Sequence, residues 1–185
     1  LIDMERSTNA FGGLMSRYGQ DLKLAEQQSR FVALAGPRLD RSFRLATLIL
    51  KNSNDAEDAV QDAIVSAWKS FDQLRRVDAF DAWFDRILIN GCRDRLRRQR
   101  FVRLLATPKF EDLVSPDHAS SYGDGANVLA VLDSLTHDER LVVVLRFWDD
   151  LAIDDISHRT GWPVGTVKTR LRRALIRLRD HFTSE

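Results

Sequence analysis

The residues from Trp162 to Arg179 have the types and spacing of a helix that could bind an anion. Pro163 suits the first turn of such a helix, where its missing N–H breaks no bond. Apolar residues then recur at helical spacing and would form one buried stripe: Val167, Leu171, Ala174, Leu175 and Leu178. The outward positions are basic, with no acidic residue among them: Lys168, Arg170, Arg172, Arg173, Arg177 and Arg179. Such a face attracts phosphate, although a charge run of this kind also occurs as an ordinary solvated surface.

The residues before this basic helix favour nucleic-acid binding over a solvated surface. Thr136 and Glu139 have the spacing of a capping box, so a helix should begin there and run through Trp148. A second short amphipathic segment, residues 153–160, should end at Gly161, which suits a left-handed C-terminal cap. Helix, tight turn and basic helix together predict a helix-turn-helix, whose second helix enters the DNA major groove.

Two further charged surfaces lie earlier in the chain. The first is an acidic helix face made by Asp55, Glu57, Asp58 and Asp62, with Gln61 among them. Complementarity with the helix dipole explains the carboxylates of the first turn but does not require Gln61 or Asp62. The second surface is an arginine band, opposed within its span only by Asp94: Arg93, Arg95, Arg97, Arg98, Arg100 and Arg103. This density of guanidinium groups favours phosphate binding over a solvated face.

Helical periodicity dominates the chain and strand signals are nearly absent, so the predicted fold class is all-α. Residues 28–50 should be helical with a break at Gly36-Pro37. Asn54, with Glu57 at the box position, should cap the next helix, and a third helix should run from about Asp78 to Arg100. The predicted buried stripes are Ala56, Val60, Ala63, Ile64, Ala67, Trp68 and Phe71 on the second helix, and Phe80, Trp83, Phe84, Ile87 and Leu88 on the third.

Breakers and polar residues after Arg103 predict a linker, and with it two small helical domains joined by a flexible tether. The expected layout is an N-terminal extension at 1–27, a helical bundle at 28–103, the linker at 104–127 and a helix-turn-helix domain at 128–185. At up to ~3.5 Å per residue, the linker could separate the two domains by several tens of ångströms.

The composition of the chain limits the kinds of function that the protein could have. The 185 residues include 28 Lys and Arg against 27 Asp and Glu, so any DNA binding must come from local segregation of charge rather than from the net charge of +1. The single Cys92 permits no internal disulfide and no Cys/His cluster has zinc spacing, so neither a metal nor a cofactor is expected. No signal peptide is recognised, and no apolar run approaches the ~20 residues of a membrane span. We therefore expect a soluble, cytoplasmic protein without membrane insertion.

A series of short motifs runs along the chain: Asn54-Asp-Ala-Glu-Asp-Ala-Val-Gln61, Phe80-Asp-Ala-Trp83, Arg86-Ile-Leu-Ile-Asn90, Asp94-Arg-Leu-Arg97 and Gly165-Thr-Val-Lys-Thr-Arg-Leu171. In order and spacing they resemble the extracytoplasmic-function sigma factors of bacteria, over roughly Phe31 to Phe182. The resemblance implies a transcription initiation factor, not an enzyme, that binds core RNA polymerase and directs it to specific promoters without ATP. It also implies an anti-sigma protein that masks the DNA- and polymerase-binding faces.

The resemblance assigns roles to residues. The acidic helix would dock on the clamp of the largest polymerase subunit through Asp58, Gln61 and Asp62. The minus-ten element, melted and with one base flipped out, would be held by Arg75, Arg76, Arg86, Asn90, Arg93 and Arg97. The minus-thirty-five element would be read as duplex by Gly165, Thr166, Lys168, Thr169, Arg170, Arg172 and Arg173. Among these, Arg170 and Arg173 are the best candidates for bidentate guanine contacts, and the same domain would contact the flap of the second large subunit.

The sequence departs from the family pattern, and other classes of protein remain as alternatives. The family usually has serine or threonine where this chain has Ala152, so the penultimate helix lacks its best cap. A stand-alone helix-turn-helix regulator, not acting through core polymerase, would leave the acidic helix and the arginine band without a role. An enzyme acting on nucleic acid would need a metal cluster or a nucleophile–base pair, and the sequence shows neither.

Overall fold

The computed structural model describes residues 21–105 and 131–183, and these residues are mostly helical with no strand among them. Helix α1 covers residues 21–35 and is followed by a 3-10 turn at Gly36–Arg38, which is where the sequence predicts a break. The segment that ends at Arg38 forms one compact unit, and the chain from Leu39 onward forms the other. Most of the predicted extension (1–27) and nearly all of the predicted linker (104–127) lie outside the described residues.

The second unit begins with three helices: α2 at Leu39–Leu50, α3 at Ser53–Lys69 and α4 at Phe80–Leu105. They pack on one another, and their common core includes the fully buried Leu45, Ile49, Phe84 and Leu88. The prediction of one helical bundle from these segments is therefore confirmed. Two short 3-10 turns, Phe71–Gln73 and Val77–Ala79, connect α3 to α4.

The start of α3 differs from the prediction. The N-cap is Asn52 rather than Asn54, and the Asn52 side chain accepts a hydrogen bond from the Asp55 backbone N–H at 2.9 Å. Asn54 is already inside the first turn of the helix. Since both asparagines have the side chain that an N-cap needs, the local sequence did not distinguish them.

The remaining helices form the predicted helix-turn-helix. Helix α5, His137–Val143, begins with the capping box: Thr136 accepts from the Glu139 backbone N–H, and the Glu139 carboxylate accepts from the Thr136 N–H at 3.0 Å. A π-helical turn, Val144–Trp148, follows it. Helix α6, Ile153–Thr160, ends at Gly161 with φ at +71°, as expected for a left-handed cap. Helix α7 then covers Val164–Thr183.

Burial confirms part of the predicted stripe on α7 and corrects one position. Val167 and Ala174 are fully buried, whereas Leu175 is exposed. Trp148, at the end of the first helix of the motif, is 54% exposed, because the π-helical turn changes the direction of the side chains that follow it. Within the second unit, the helices α2–α4 also contact α5–α7 directly, mainly through α4 and α6.

Candidate nucleic-acid interface

The outer face of α7 presents a basic surface. Lys168, Thr169, Arg172 and Arg173 are all exposed, while Val167 between them is buried against the rest of the helix-turn-helix. The Thr169 hydroxyl donates to the Gly165 carbonyl at 2.8 Å. Space is open around the Gly165 Cα, so a partner could approach the backbone there. These residues can contact phosphates and base edges of a duplex in the way a recognition helix does.

Arg170 shares its side of α7 with Thr166 and Arg173 but is engaged by other residues of the protein. Its guanidinium pairs with Asp138 at 2.7 Å and lies 3.7 Å from the centre of the Trp162 ring. The side chain is only 26% exposed. Arg170 and Thr166 are thus half-buried, whereas Arg173 is exposed.

A second polar stripe follows one face of α4, where Arg86, Asn90, Arg93 and Arg97 recur every three or four residues. Arg86, Asn90 and Arg97 are exposed. Arg93 is half-buried because its guanidinium donates to the Thr160 carbonyl at 2.8 Å and lies 4.6 Å from the centre of the Trp162 ring. Burial lowers the pKa of Arg93 below its ordinary value, although the charge of Asp138 opposes this shift.

A cleft of about 660 Å³ lies between this stripe and the start of α5. Its polar lining includes Asn90, Arg93, Arg97, Arg100, His137 and Asp138. The basic face of α4 is thus open to solvent at Arg97 and Arg100 but covered at Arg93.

The loop before α4 holds the two remaining basic candidates. Arg75 and Arg76 are exposed between the two 3-10 turns, and Arg76 forms a two-pronged ion pair with Asp78. This pair stabilises the charged form of both groups, so it raises the pKa of Arg76 and lowers the pKa of Asp78.

The acidic face of α3 is exposed, and one arginine of the predicted band neutralises part of it. Asp58, Gln61 and Asp62 all face solvent. Arg95 of α4 reaches across to Asp62 at 2.5 Å and to Asp58 at 3.6 Å. Arg95 therefore joins two helices of the bundle, unlike Arg97, Arg98 and Arg100, which are exposed. The side chain of Arg103 lies outside the described residues.

Sequence reasoning missed a buried charge cluster beside the α4 stripe. Asp85 of α4 is fully buried and Asp149, after the π-helical turn, is 4% exposed. Arg41 of α2 and Arg159 of α6 each contact both carboxylates. Burial would lower the pKa of Arg41, but the charges of the two aspartates raise it above its ordinary value. One signal was available, since Asp85 stands between Phe84 and Leu88 on the apolar side of its helix.

Comparison with known proteins identifies the family. A model described as Sigma-70 region 2 matches residues 36–102, and one described as Sigma-70, region 4 matches residues 126–178. The chain is 36% identical to the RNA polymerase sigma factor SigV of Bacillus subtilis, over 77% of this chain and 85% of that protein. The chain is a bacterial sigma factor of the extracytoplasmic-function type. Helices α2–α4 thus belong to region 2, and α5–α7 belong to region 4.

Further relatives agree with this identification. The ECF RNA polymerase sigma factor SigM of Mycobacterium tuberculosis is 35% identical over 91% of this chain and 86% of its own length. A solved complex of the sigma factor RpoE with the anti-sigma factor NepR, from Bartonella quintana, contains a chain 26% identical to this one. That alignment has a TM-score of 0.61 and covers 89% of this chain and 98% of the other.

The family membership confirms the predicted function of this sigma factor. It binds core RNA polymerase and determines which promoters the polymerase uses. A stand-alone helix-turn-helix regulator is not favoured, because region 2 accompanies region 4 in the same chain. In the part of the chain that the structure describes, no group of His, Cys, Asp and Glu could hold a metal ion, and no helix is long and apolar enough to cross a membrane.

Proposed function

We propose that three surfaces of this sigma factor have separate roles in polymerase binding and promoter recognition. The acidic face of α3 docks on core polymerase, the polar stripe of α4 holds the minus-ten element, and the exposed face of α7 reads the minus-thirty-five element. The observation that carries the proposal is the segregation of charge: with a net charge of only +1, the chain exposes basic residues on α4 and α7 and carboxylates on α3. A basic surface suits DNA, and an acidic surface suits a basic partner.

Recognition of the minus-thirty-five duplex falls to the exposed residues of α7. Arg173 is placed for a bidentate contact to a guanine, with Thr169 beside it, while Lys168 and Arg172 flank them as phosphate contacts. Gly165 and Thr166 bring the first turn close to the DNA backbone. Arg170 stabilises the motif through its contacts with Asp138 and Trp162.

Capture of the minus-ten element falls to region 2. Arg86, Asn90, Arg93 and Arg97 lie on one face of α4, and Arg75 and Arg76 lie in the loop that precedes it. Basic groups beside a groove can hold the backbone of a single strand. Strand opening needs no chemical step, because binding an unstacked base can offset the few kcal/mol that unstacking costs. This sigma factor would therefore act without enzymatic activity or a cofactor.

The other assignments concern layout and partners. The bundle would extend over 28–103, the linker over 104–127 and the helix-turn-helix domain over 128–185, with contacts to the clamp of the largest polymerase subunit and to the flap of the second. The protein would act in the cytoplasm, where bacterial transcription takes place. An anti-sigma protein is a proposed partner, because the related RpoE was solved in complex with the anti-sigma factor NepR.

The test is run-off transcription with purified core polymerase, on a promoter selected from random DNA by the wild-type holoenzyme. Asp58→Arg should abolish core binding and transcription, because it places a positive charge on the acidic face. The change should cost little stability, since Asp58 is exposed and its ion pair with Arg95 is long at 3.6 Å. Asp154→Arg on α6 makes the same charge change at another exposed carboxylate and should retain transcription.

A measurement of duplex binding distinguishes the role of the α3 surface from that of the α7 surface. Asp58→Arg should leave the weak affinity of the free protein for promoter duplex unchanged, since α7 is intact. Equal loss of core binding and duplex binding would contradict separate roles for the two surfaces. Failure of the wild-type protein to direct initiation from any selected promoter would refute the proposed promoter contacts as a whole.

A further inference from the structure

Two side chains of α4 hold the acidic face of α3 in a regular arrangement. Arg95 contacts the Oδ2 atom of Asp62 at 2.5 Å and the Oδ2 atom of Asp58 at 3.6 Å. One helical turn further along α4, the Gln99 amide donates to the Asp55 carboxylate at 2.8 Å. Since the positions rise along α4 as they fall along α3, the two helices are antiparallel. Three carboxylates of α3 are therefore bound, in order, from the neighbouring helix.

Both carboxylates that contact Arg95 remain accessible to a partner. The Asp58 side chain is 63% exposed and the Asp62 side chain is 73% exposed, whereas Arg95 itself is 24% exposed. An ionised carboxylate has about four acceptor positions, so each aspartate can bind Arg95 and a cation of a partner at the same time. Arg95 therefore lies beneath the surface that these aspartates present to solvent, not within it.

Arg95 fixes the relative direction of the two aspartates. Its Nη1 faces Asp58 and its Nη2 faces Asp62, so one planar guanidinium bridges carboxylates that are one helical turn apart. Without this bridge, each exposed side chain would exchange among its rotamers. A partner would then have to order both side chains on binding, which weakens a complex. Because the bridge comes from the other helix of the bundle, the carboxylates are ordered before any partner binds.

We propose that Arg95 is a positioning residue for polymerase docking: it orders Asp58 and Asp62 for core polymerase without contacting the polymerase itself. The inference rests on the proposed docking role of the α3 surface and adds to that surface a residue from α4. Arg95 thus differs in role from the exposed members of the arginine band, whose guanidinium groups are accessible to phosphate.

Charge alone predicts the opposite effect of removing Arg95. Its positive charge lies beside carboxylates that would attract a basic partner, so neutralising it should strengthen binding if only charge mattered. If the order of the carboxylates matters more, the same change should weaken binding. The two effects act on different rate constants: loss of the positive charge raises the association rate constant, and loss of order raises the dissociation rate constant.

The test measures the association and dissociation of the full-length chain on immobilised core polymerase, at low and at physiological salt. Arg95→Gln should raise the dissociation rate constant about tenfold and the association rate constant less than about threefold, so affinity should fall roughly threefold or more. Arg95→Lys keeps the charge without the planar fork, so its affinity should lie between those of Arg95→Gln and the wild type. An affinity of Arg95→Gln equal to or above that of the wild type would overturn the proposal.

Two control variants separate this role from bundle stability and from net charge. Gln99→Ala removes the other bond from α4 to the acidic face, but that bond ends on Asp55, which is not a proposed docking contact. Arg44→Gln removes one positive charge from α2, where the exposed Arg44 donates to the Asp40 carbonyl of its own helix at 3.3 Å. Both controls should bind core polymerase like the wild type. Equal losses in Gln99→Ala and Arg95→Gln would attribute the effect to bundle stability and overturn the proposal.

A double-mutant cycle with Asp62→Asn distinguishes positioning from a direct contact. If Arg95 acts through Asp62, Arg95→Gln should weaken binding by a smaller factor in the Asp62→Asn background than in the wild type. Purely additive losses would indicate that Arg95 contacts the polymerase directly, and would overturn the proposal. The proposed docking role of α3 has a separate test: core binding by Asp58→Arg at the wild-type level would refute that role. Loss of binding in Asp58→Arg without loss in Arg95→Gln would refute only the positioning role.

Discussion

Two arginines three residues apart on α7 should have different roles, although the sequence gives them the same one. Arg173→Ala removes an exposed guanidinium from the face that carries Lys168 and Thr169. If Arg173 forms a bidentate contact to a guanine, its loss should cost ~1–3 kcal/mol of discrimination, or roughly a 5- to 150-fold change in preference at one base pair. Stability should change little, because exposed substitutions usually have small effects.

Arg170→Ala should instead affect stability. Arg170 is 26% exposed, and its pair with Asp138 is partly open to solvent, so the pair contributes at most about 1 kcal/mol. Contact with the Trp162 ring adds roughly 0.5–1 kcal/mol. A total of about 1–2 kcal/mol should lower the melting temperature of a chain of this size by several degrees. Preference at the minus-thirty-five element should stay close to that of the wild type.

The assay is run-off transcription by the reconstituted holoenzyme on a set of promoters with every single-base change in the minus-thirty-five element. Thermal unfolding of each free variant is measured alongside. Arg173→Ala should relax the preference at one position with an unchanged melting temperature, and Arg170→Ala should do the reverse. The reasoning fails if Arg170→Ala changes base preference while Arg173→Ala does not.

Two further predictions concern stability and reactivity. Ala152→Ser should raise the free energy of unfolding by ~0.5–2 kcal/mol, because Ala152 is the N-cap of α6 and makes no side-chain cap; an unchanged midpoint of denaturant unfolding would contradict this. Burial raises the pKa of Cys92 to about 12, so an aromatic disulfide reagent should label the thiol only as fast as the protein unfolds. Because only the unfolded state then loses the thiol proton, the free energy of unfolding should fall as the pH rises above ~8.5, the pKa of the unfolded thiol. Rapid labelling of the native protein would refute both statements.

Local signals were sufficient to predict the helices and several of their ends. The capping box at Thr136 and Glu139, the left-handed Gly161 and the buried stripe through Val167 and Ala174 depend on residues within a few positions of each other. The charged candidates on α3, α4 and α7 could also be predicted, since their exposure follows from helical periodicity. The fold class and the exposed surfaces were therefore accessible from the sequence.

Contacts between residues that are far apart in the sequence could not be predicted in the same way. Arg159 and Asp85 are 74 positions apart, and the sequence does not say which of many arginines meets the buried Asp85. Arg170 and Arg173 both have outward positions on a helical projection, and only the presence of Asp138 and Trp162 distinguishes them. Roles that depend on such tertiary partners need the structure, because periodicity describes only one helix at a time.

The π-helical turn accounts both for the exposure of Trp148 and for the position of Asp149 in the buried charge cluster. In a regular helix, Leu141 and Leu145 would share their buried face with residue 148. The turn is closed by the bond from the Asp149 N–H to the Val144 carbonyl at 3.2 Å, five residues back, which rotates the side chains after it. Trp148 consequently faces solvent, and Asp149 takes the inward direction toward Arg41 and Arg159. The extra residue in this turn therefore directs the Asp149 carboxylate into the buried charge cluster, between Arg41 and Arg159.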